Sequence, residues 1–333
     1  MKKDANTSRR EFLKKSIAVG IGAPLAASFE ERHLLAQTST QSTSQSQSAS
    51  SQPKVDMPMG QIGKVKISRI ICGGNLISGY AHSRDLIYVS RLLKAYFTDE
   101  KIMETWALCE QYGINTMIFN PHDPHAVAVY KKYRSNGGKI QYIAQLDPNP
   151  SDLSKNIKEA VDTGAVGALL VGNYGDAWTR ENKIDLIAKF IDIVKSQGII
   201  SGVAGHEIRT IKAVEEAGIK PDFYMKTLHS ENYWSKRRPD QNKEVIDNYA
   251  VDNYWCMDPE ATIRYMYQVK RPWFAYKVLA AGAIHPQVGL KYAFENGADF
   301  CVVGMFDFQV AEDAELTVQA VKAAQNRDRE WYG

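Results

Sequence analysis

Six side chains pose the chemical question. His122, Asp123, His125, His206, Glu207 and His229 each follow a short apolar run by a few residues, and imidazole with carboxylate is the ligand chemistry of Zn or Mn. A trio of His122, His206 and His229 would hold such a divalent ion with one position left for water. The ion would polarise a carbonyl or hydroxyl and activate water near neutral pH, with Glu207 or Asp123 as further ligand or base. Lys277 lies inside an apolar run, as does Lys226. Desolvation drives a buried ammonium towards the neutral amine that a base or a Schiff base needs; left charged, Lys277 would steady negative charge on a substrate. Each group also has a plainer role. His206 suits the cap of a following helix, Pro121 and Pro124 place His122 and His125 in a loop, His229 precedes Ser230-Glu231-Asn232, and Lys277 suits an ion pair with Asp307 or Glu207. No HExxH is present, so only the fold can bring these groups together.

The elements that would do so are legible. Apolar, often β-branched runs occur at Ser68 to Cys72, Asn115 to Phe119, Ile140 to Gln145, Gly167 to Val171, Ile199 to Ala204, Asp222 to Leu228, Trp273 to Leu279 and Phe300 to Val303. Between them lie segments with apolar residues at three- and four-residue spacing, such as Glu100 to Tyr112, Ser154 to Thr163, Lys183 to Ser196 and Ile208 to Ala217. Gly113, Gly164, Gly198, Gly218 and Gly297 stand where helices should stop. This alternation predicts a parallel (β/α)8 barrel as a single domain over 57–333. An open doubly wound sheet is the competing fold, but Gly73-Gly74 lacks the GxGxxG spacing expected after its first strand. Barrel chemistry occurs at the C-terminal ends of the strands. Asn75, Asn120, Gln145, Asn173, Tyr276 and Asp307 fall there and are the expected substrate contacts. Counting by twos, Lys277 shares a face with Trp273 and Ala275, and Tyr276 with Phe274 and Val278; which face points inward stays open.

Composition narrows the partners. The chain has 333 residues, 44% hydrophobic and 24% charged, with a net charge of +3. That excludes wholesale disorder and lacks the basic excess of a nucleic-acid binder, leaving a small-molecule substrate. Cys72, Cys109, Cys256 and Cys301 show no CxxC pairing, which argues against a zinc ribbon or a disulfide scaffold. The run Ser8-Arg9-Arg10-Glu11-Phe12-Leu13-Lys14 and the weakly apolar stretch after it resemble a twin-arginine export signal, assigned to 1–36. The Ser/Gln-rich segment 37–56 reads as a disordered linker. The export machinery is thus an expected partner, and a periplasmic or extracellular location is expected. Membrane contact would come only through an uncleaved signal. Aromatic-rich stretches at Tyr80 to Phe97 and Ser230 to Pro259 suit lids that stack on sugar rings, or simply pack loops onto the barrel.

A family resemblance follows from particular residues. Met59-Gly60-Gln61-Ile62-Gly63-Lys64-Val65 with Cys72-Gly73-Gly74-Asn75 resembles the first hairpin and strand of aldo-keto reductases. Gly202 to His206 with Ile211-Lys212-Ala213, Pro272 to Gly282, and Val303-Gly304-Met305 with Glu312-Asp313 are similar to that family's fifth, seventh and eighth strands. In that family a Tyr donates a proton to a carbonyl, a Lys and an Asp depress its pKa, and a His orients the substrate. The resemblance puts the Asp at Asn115, the Tyr at Asn120, the Lys at Gln145 and the His at Gly172. It puts the nicotinamide-amide pair at Ala204 and Gly205, the stacking ring at Tyr276, and Asp307 where a phosphate clamp is expected. It therefore implies a relative without the family's tetrad and with NADP disfavoured, since a carboxylate at 307 would repel a phosphate. The expected activity is that of an exported, metal-assisted lyase, isomerase or hydrolase acting on a carbohydrate-like substrate. A divergent NAD(P)-dependent oxidoreductase and a non-catalytic ligand-binding barrel are the alternatives.

Overall fold

The computed structural model describes residues 53–80, 86, 88–237 and 256–333. The export signal and most of the linker lie outside the described residues, as do His33, His82 and much of the two aromatic-rich stretches.

β-branched and apolar alternation produces ten strands among the described residues. Met59–Ile62 (β1) and Val65–Ser68 (β2) form an antiparallel hairpin whose two-residue turn opens on Gly63 at φ +57°, a conformation open to glycine at little cost. The other eight are β3 (Ile70–Gly73), β4 (Thr116–Phe119), β5 (Gln141–Leu146), β6 (Gly167–Leu170), β7 (Ile200–Gly205), β8 (Phe223–Thr227), β9 (Trp273–Tyr276) and β10 (Phe300–Gly304). All pair in parallel and close into a barrel of order β10-β3-β4-β5-β6-β7-β8-β9. The expected (β/α)8 fold is therefore the observed one. The helices are α1 (Val89–Tyr96), α2 (Asp99–Gln111), α3 (Pro124–Ser135), α4 (Leu153–Asp162), α5 (Gly172–Arg180), α6 (Ile184–Ser196), α7 (Ile208–Glu216), α8 (Pro259–Met266), α9 (Pro286–Glu295) and α10 (Val310–Ala323). The five glycines expected to stop helices all have positive φ. Among the described residues no helix is long and apolar enough to cross a membrane.

Strand alternation builds two cores. Ile71, Ile118, Ile143, Leu169, Met225 and Phe274 fill the barrel. Their neighbours Cys72, Met117, Tyr142, Ala168, Tyr224 and Ala275 pack outward against the helices. All four cysteines are buried and free. At the N-terminal end of the barrel, Asp299 binds Arg327 and Arg329 at 2.7 Å each. It also accepts the backbone N–H groups of Trp273 and Tyr332 at 2.9 Å. This carboxylate fastens the C-terminal tail to the start of β9 and β10.

One outer-core residue conflicts with its surroundings. Asp313 in α10 is 1% exposed, and its Oδ2 has no hydrogen-bond partner among the described residues. Burial, with the Glu312 charge adding to it, lifts this carboxyl to about 7. At pH 4 and below it is protonated in both folded and unfolded chains and carries no penalty. Between pH 4 and 7 the unfolded chain releases the proton and the folded one keeps it, so stability falls, and above pH 7 the penalty stays constant. A rise of about three pKa units corresponds to about 4 kcal/mol. Asp313→Asn should therefore raise the unfolding midpoint at pH 8 by several degrees and leave it near the parent's at pH 4. Equal midpoints at pH 8 would contradict this account.

Candidate active site

The C-terminal ends of β7 and β9 bring together a compact polar group. β7 ends at Gly205, and His206 follows immediately. Its ring Nδ1 lies 2.8 Å from Asp176 Oδ2, and its backbone N–H donates to the same carboxylate at 3.0 Å. Asp176 also accepts from Thr210 Oγ1 at 2.7 Å and from the Glu207 N–H at 3.3 Å. One carboxylate on α5 thus organises the whole turn into α7. Both side chains are buried, His206 at 5% and Asp176 at 1% exposure. Burial drives the imidazole down to about 4 against the pull of Asp176, and the charges of Lys277 and Lys226 push the same way as burial. His206 is therefore neutral at physiological pH. With a carboxylate accepting at Nδ1, the proton sits there and Nε2 keeps its lone pair.

Two glycines allow this approach. A Cβ at Gly175 would stand 2.2 Å from Ala204 O, so α5 can lie directly on β7 only without one. A Cβ at Gly172 would stand 2.6 Å from His206 Cε1 and 2.7 Å from the Tyr276 hydroxyl. Imidazole and phenol meet over that bare backbone, with ring centroids 5.4 Å apart. Tyr276 belongs to the barrel interior with Phe274, which settles the facing of β9. The strand stops there because Lys277 adopts φ +58°. Ala280 and Ala281 are also left-handed. Three such non-glycine residues in five carry on the order of 1–3 kcal/mol of strain each, a concentration typical of functional sites.

Other expected site residues lie elsewhere. The trio His122, His206 and His229 does not converge. His122 Nδ1 pairs with Asp147 at 2.6 Å, its Nε2 contacts Asn156, and Asn120 Nδ2 donates to Asp147 at 3.2 Å, forming a separate patch beyond β4 and β5. His229 Nε2 accepts the Cys256 N–H at 2.9 Å, and its Nδ1 faces Ser230 O at 3.0 Å. Ring nitrogens committed to these partners are not arranged as ligands, and among the described residues no group of three His, Cys, Asp or Glu is placed to hold a metal ion. Asp123 is the cap of α3, accepting from His125 N at 3.0 Å and Ala126 N at 3.3 Å. Glu207 sits beside His206 but pairs with Arg209. Asp307 binds Lys101 at 2.9 Å and the Tyr96 hydroxyl at 2.5 Å. The expected repulsion of a phosphate by Asp307 is offset by that ammonium.

Of the remaining substrate candidates, Asn75 is exposed past β3, Gln145 half-buried on β5, and Asn173 half-buried in the first turn of α5. Asn115, matched in sequence to the reductase Asp, precedes β4 and lies at the opposite end of the barrel. Its side chain accepts from Ser68 N and donates to Lys66 O, both at 2.9 Å. In the sequence Asp176 stands beside Asn173 just past the β6 run, but nothing in its spacing marks it as the partner of His206.

No family model matches this chain, and no curated protein is similar to it in sequence. Solved structures are similar in fold. A protein from Pseudomonas aeruginosa described as an aldo-keto reductase superposes with a TM-score of 0.53 at 15% identity, covering 79% of this chain and 94% of its own. A variant of Gox0644 in complex with NADPH gives a TM-score of 0.52 at 10% identity, covering 84% and 97%. The class so defined is a (β/α)8 barrel of the kind found in aldo-keto reductases. At these identities the likeness carries the fold alone.

Proposed function

We propose that this chain is a barrel enzyme, exported in folded form, that moves a proton on a small, polar, carbohydrate-like substrate as an isomerase or lyase. His206 is the base, Asp176 holds its tautomer, and Tyr276 and Lys277 polarise the carbonyl that accepts the developing charge. The observation that carries this reading is the buried His206 ring held through Nδ1 to Asp176 at 2.8 Å, in surroundings that disfavour its charged form. A neutral imidazole held in one tautomer by a carboxylate is what removal of a proton next to a carbonyl requires. The chemistry runs on this chain's own side chains, since His122 and His229 are committed elsewhere.

The test is exchange in D2O. Aldoses, ketoses and sugar acids are incubated with the protein, and loss of the proton next to the carbonyl is followed by NMR. Exchange should occur for one class and fall at least about 100-fold in His206→Ala. Exchange that persists in the variant, or none across the panel, would overturn the assignment.

A second reading rests on a specific observation. Tyr276, Lys277, His206 and Asp176 are the four residue types with which aldo-keto reductases polarise a carbonyl, drawn here from other strands, and Lys101 offsets the Asp307 carboxylate. Quenching of protein fluorescence by titrated NADPH would favour carbonyl reduction over proton transfer.

A further inference from the structure

Lys226 is a second buried lysine, and the proposed reaction does not use it. It projects from β8 on the same side as Tyr224, away from the barrel interior, and is 1% exposed. Its Nζ donates to Thr227 O at 3.0 Å and Thr227 Oγ1 at 2.6 Å, and stands 4.0 Å from Cys256 Sγ. Among the described residues no carboxylate lies within ion-pair distance; Asp176, Glu207 and Asp258 act on it only through space. Burial accordingly shifts it towards the neutral amine. Cys256 is 1% exposed, its Sγ lies 3.9 Å from Thr262 Oγ1, and its backbone N–H is held by His229. The acidic group in direct contact with this amine is thus a thiol, and the base in direct contact with this thiol is the amine.

We propose that Lys226 and Cys256 form an oxidation site at which hydrogen peroxide joins Nζ to Sγ in a reversible sulfenamide cross-link. The Cys256 proton passes to Nζ, and the thiolate sulfur attacks one peroxide oxygen. An S–O bond forms, the O–O bond breaks, and hydroxide leaves and takes the proton back from the ammonium as water. The sulfur is now a sulfenic acid, oxidised by two electrons, and the peroxide is reduced to water. The neutral amine then attacks that sulfur, forming S–N and expelling the sulfenic oxygen as a second water. Met257 and Asp258, the two residues after Cys256, line a cavity of about 610 Å³. The cross-link would tie β8 to the segment leading into α8. It would also loosen the Nζ contact with Thr227, whose Oγ1 donates to His206 O at 3.0 Å.

The experiment is peroxide treatment of the full chain, digestion without reductant, and mass spectrometry of the peptides that contain residues 226 and 256. The expected result is one joined pair, two hydrogens lighter than its parts, that a thiol reductant separates. A joined pair carrying one more oxygen, from insertion by a second peroxide, also supports the site. Lys226→Met and Cys256→Ser should each abolish the pair. Recovery of the two peptides unjoined from the parent protein, with Cys256 unchanged or taken to its sulfinic or sulfonic acid, overturns the proposal. The readout is a mass, so it stands apart from whether His206 exchanges a substrate proton.

Discussion

Asp299→Ala should destabilise the fold by about 3–5 kcal/mol, the range observed when one partner of a buried ion pair is removed. Asp299 is fully buried and satisfies two guanidinium groups whose side chains are 1% exposed. Arg69 lies in the same layer. Burial pulls its guanidinium down to about 10, and the Asp299 charge works against that fall. Removing the carboxylate leaves three cations in one desolvated layer, where they repel each other and keep only neutral backbone carbonyls as acceptors. The tail arginines also donate to backbone carbonyls, Arg329 to those of Met266, Gly297, Val269 and Arg271 and Arg327 to that of Phe294, but none of these neutralises their charge. Trp331 lies between Arg69 and Arg327, with centroid distances of 4.7 and 3.5 Å, and Arg69 donates to Gly333 O at 2.9 Å. All these contacts presuppose arginines held in place. Asp299→Asn separates charge from shape, because the amide oxygen still accepts one of the backbone N–H groups. It should recover less than half of the loss in urea unfolding. A loss below 1 kcal/mol for Asp299→Ala would show that solvent reaches the arginines and that this layer is not the clasp described.

The barrel was legible because its signal is redundant. Eight apolar runs, five stop glycines and amphipathic spacers each point to the same alternation, so no single error moves the fold. The strand at Trp273 shows the limit. Its apolar run continues to Leu279, but the backbone turns at Lys277 into a left-handed conformation that apolarity does not encode. Site residues behave differently, because a side chain's role depends on which neighbours reach it first. His206 was singled out from the sequence, and the structure gives it a carboxylate partner. Its expected companions His122 and His229 found nearer ones in Asp147 and the Cys256 N–H. Asp123, five residues past the middle of β4, obeys the stronger local demand of a helix N-terminus. The match of Asn115 to a reductase Asp failed for a simpler reason. β4 begins at Thr116, so residue 115 lies below the barrel and not above it. Asp176 also stands just past the β6 run in the sequence, but its role lies in four donors from a segment about thirty residues away, three of them on one oxygen, which no spacing encodes.

Those donors make Asp176→Asn the sharpest chemical test. Oδ1 accepts from Thr210 Oγ1 at 2.7 Å, His206 N at 3.2 Å and Glu207 N at 3.3 Å. Backbone N–H groups cannot reverse their polarity, so the amide oxygen of the variant must take this position. Its NH2 then faces His206 Nδ1 and donates to it. The imidazole proton is forced onto Nε2, and the lone pair that would receive the substrate proton is gone. Exchange in D2O should fall by about 100- to 10,000-fold with the fold intact. Nitrogen chemical shifts of the ring should report the protonated nitrogen changing from Nδ1 to Nε2, a readout that a purely structural role for Asp176 would not move. The parent's pH profile follows from the same environment. Because burial holds the imidazole near 4, the base form persists across pH 5 to 8, and the ascending limb of kcat/KM should lie near pH 4 and not near 6.5. Stability obeys the matching sign. It is fully present above pH 6.5 and declines as pH falls towards 4, where the unfolded chain takes up a proton that the folded one refuses. An ascending limb at 6.5, with Nε2 already protonated in the parent, would mean a solvated histidine and would remove the base from the proposed reaction.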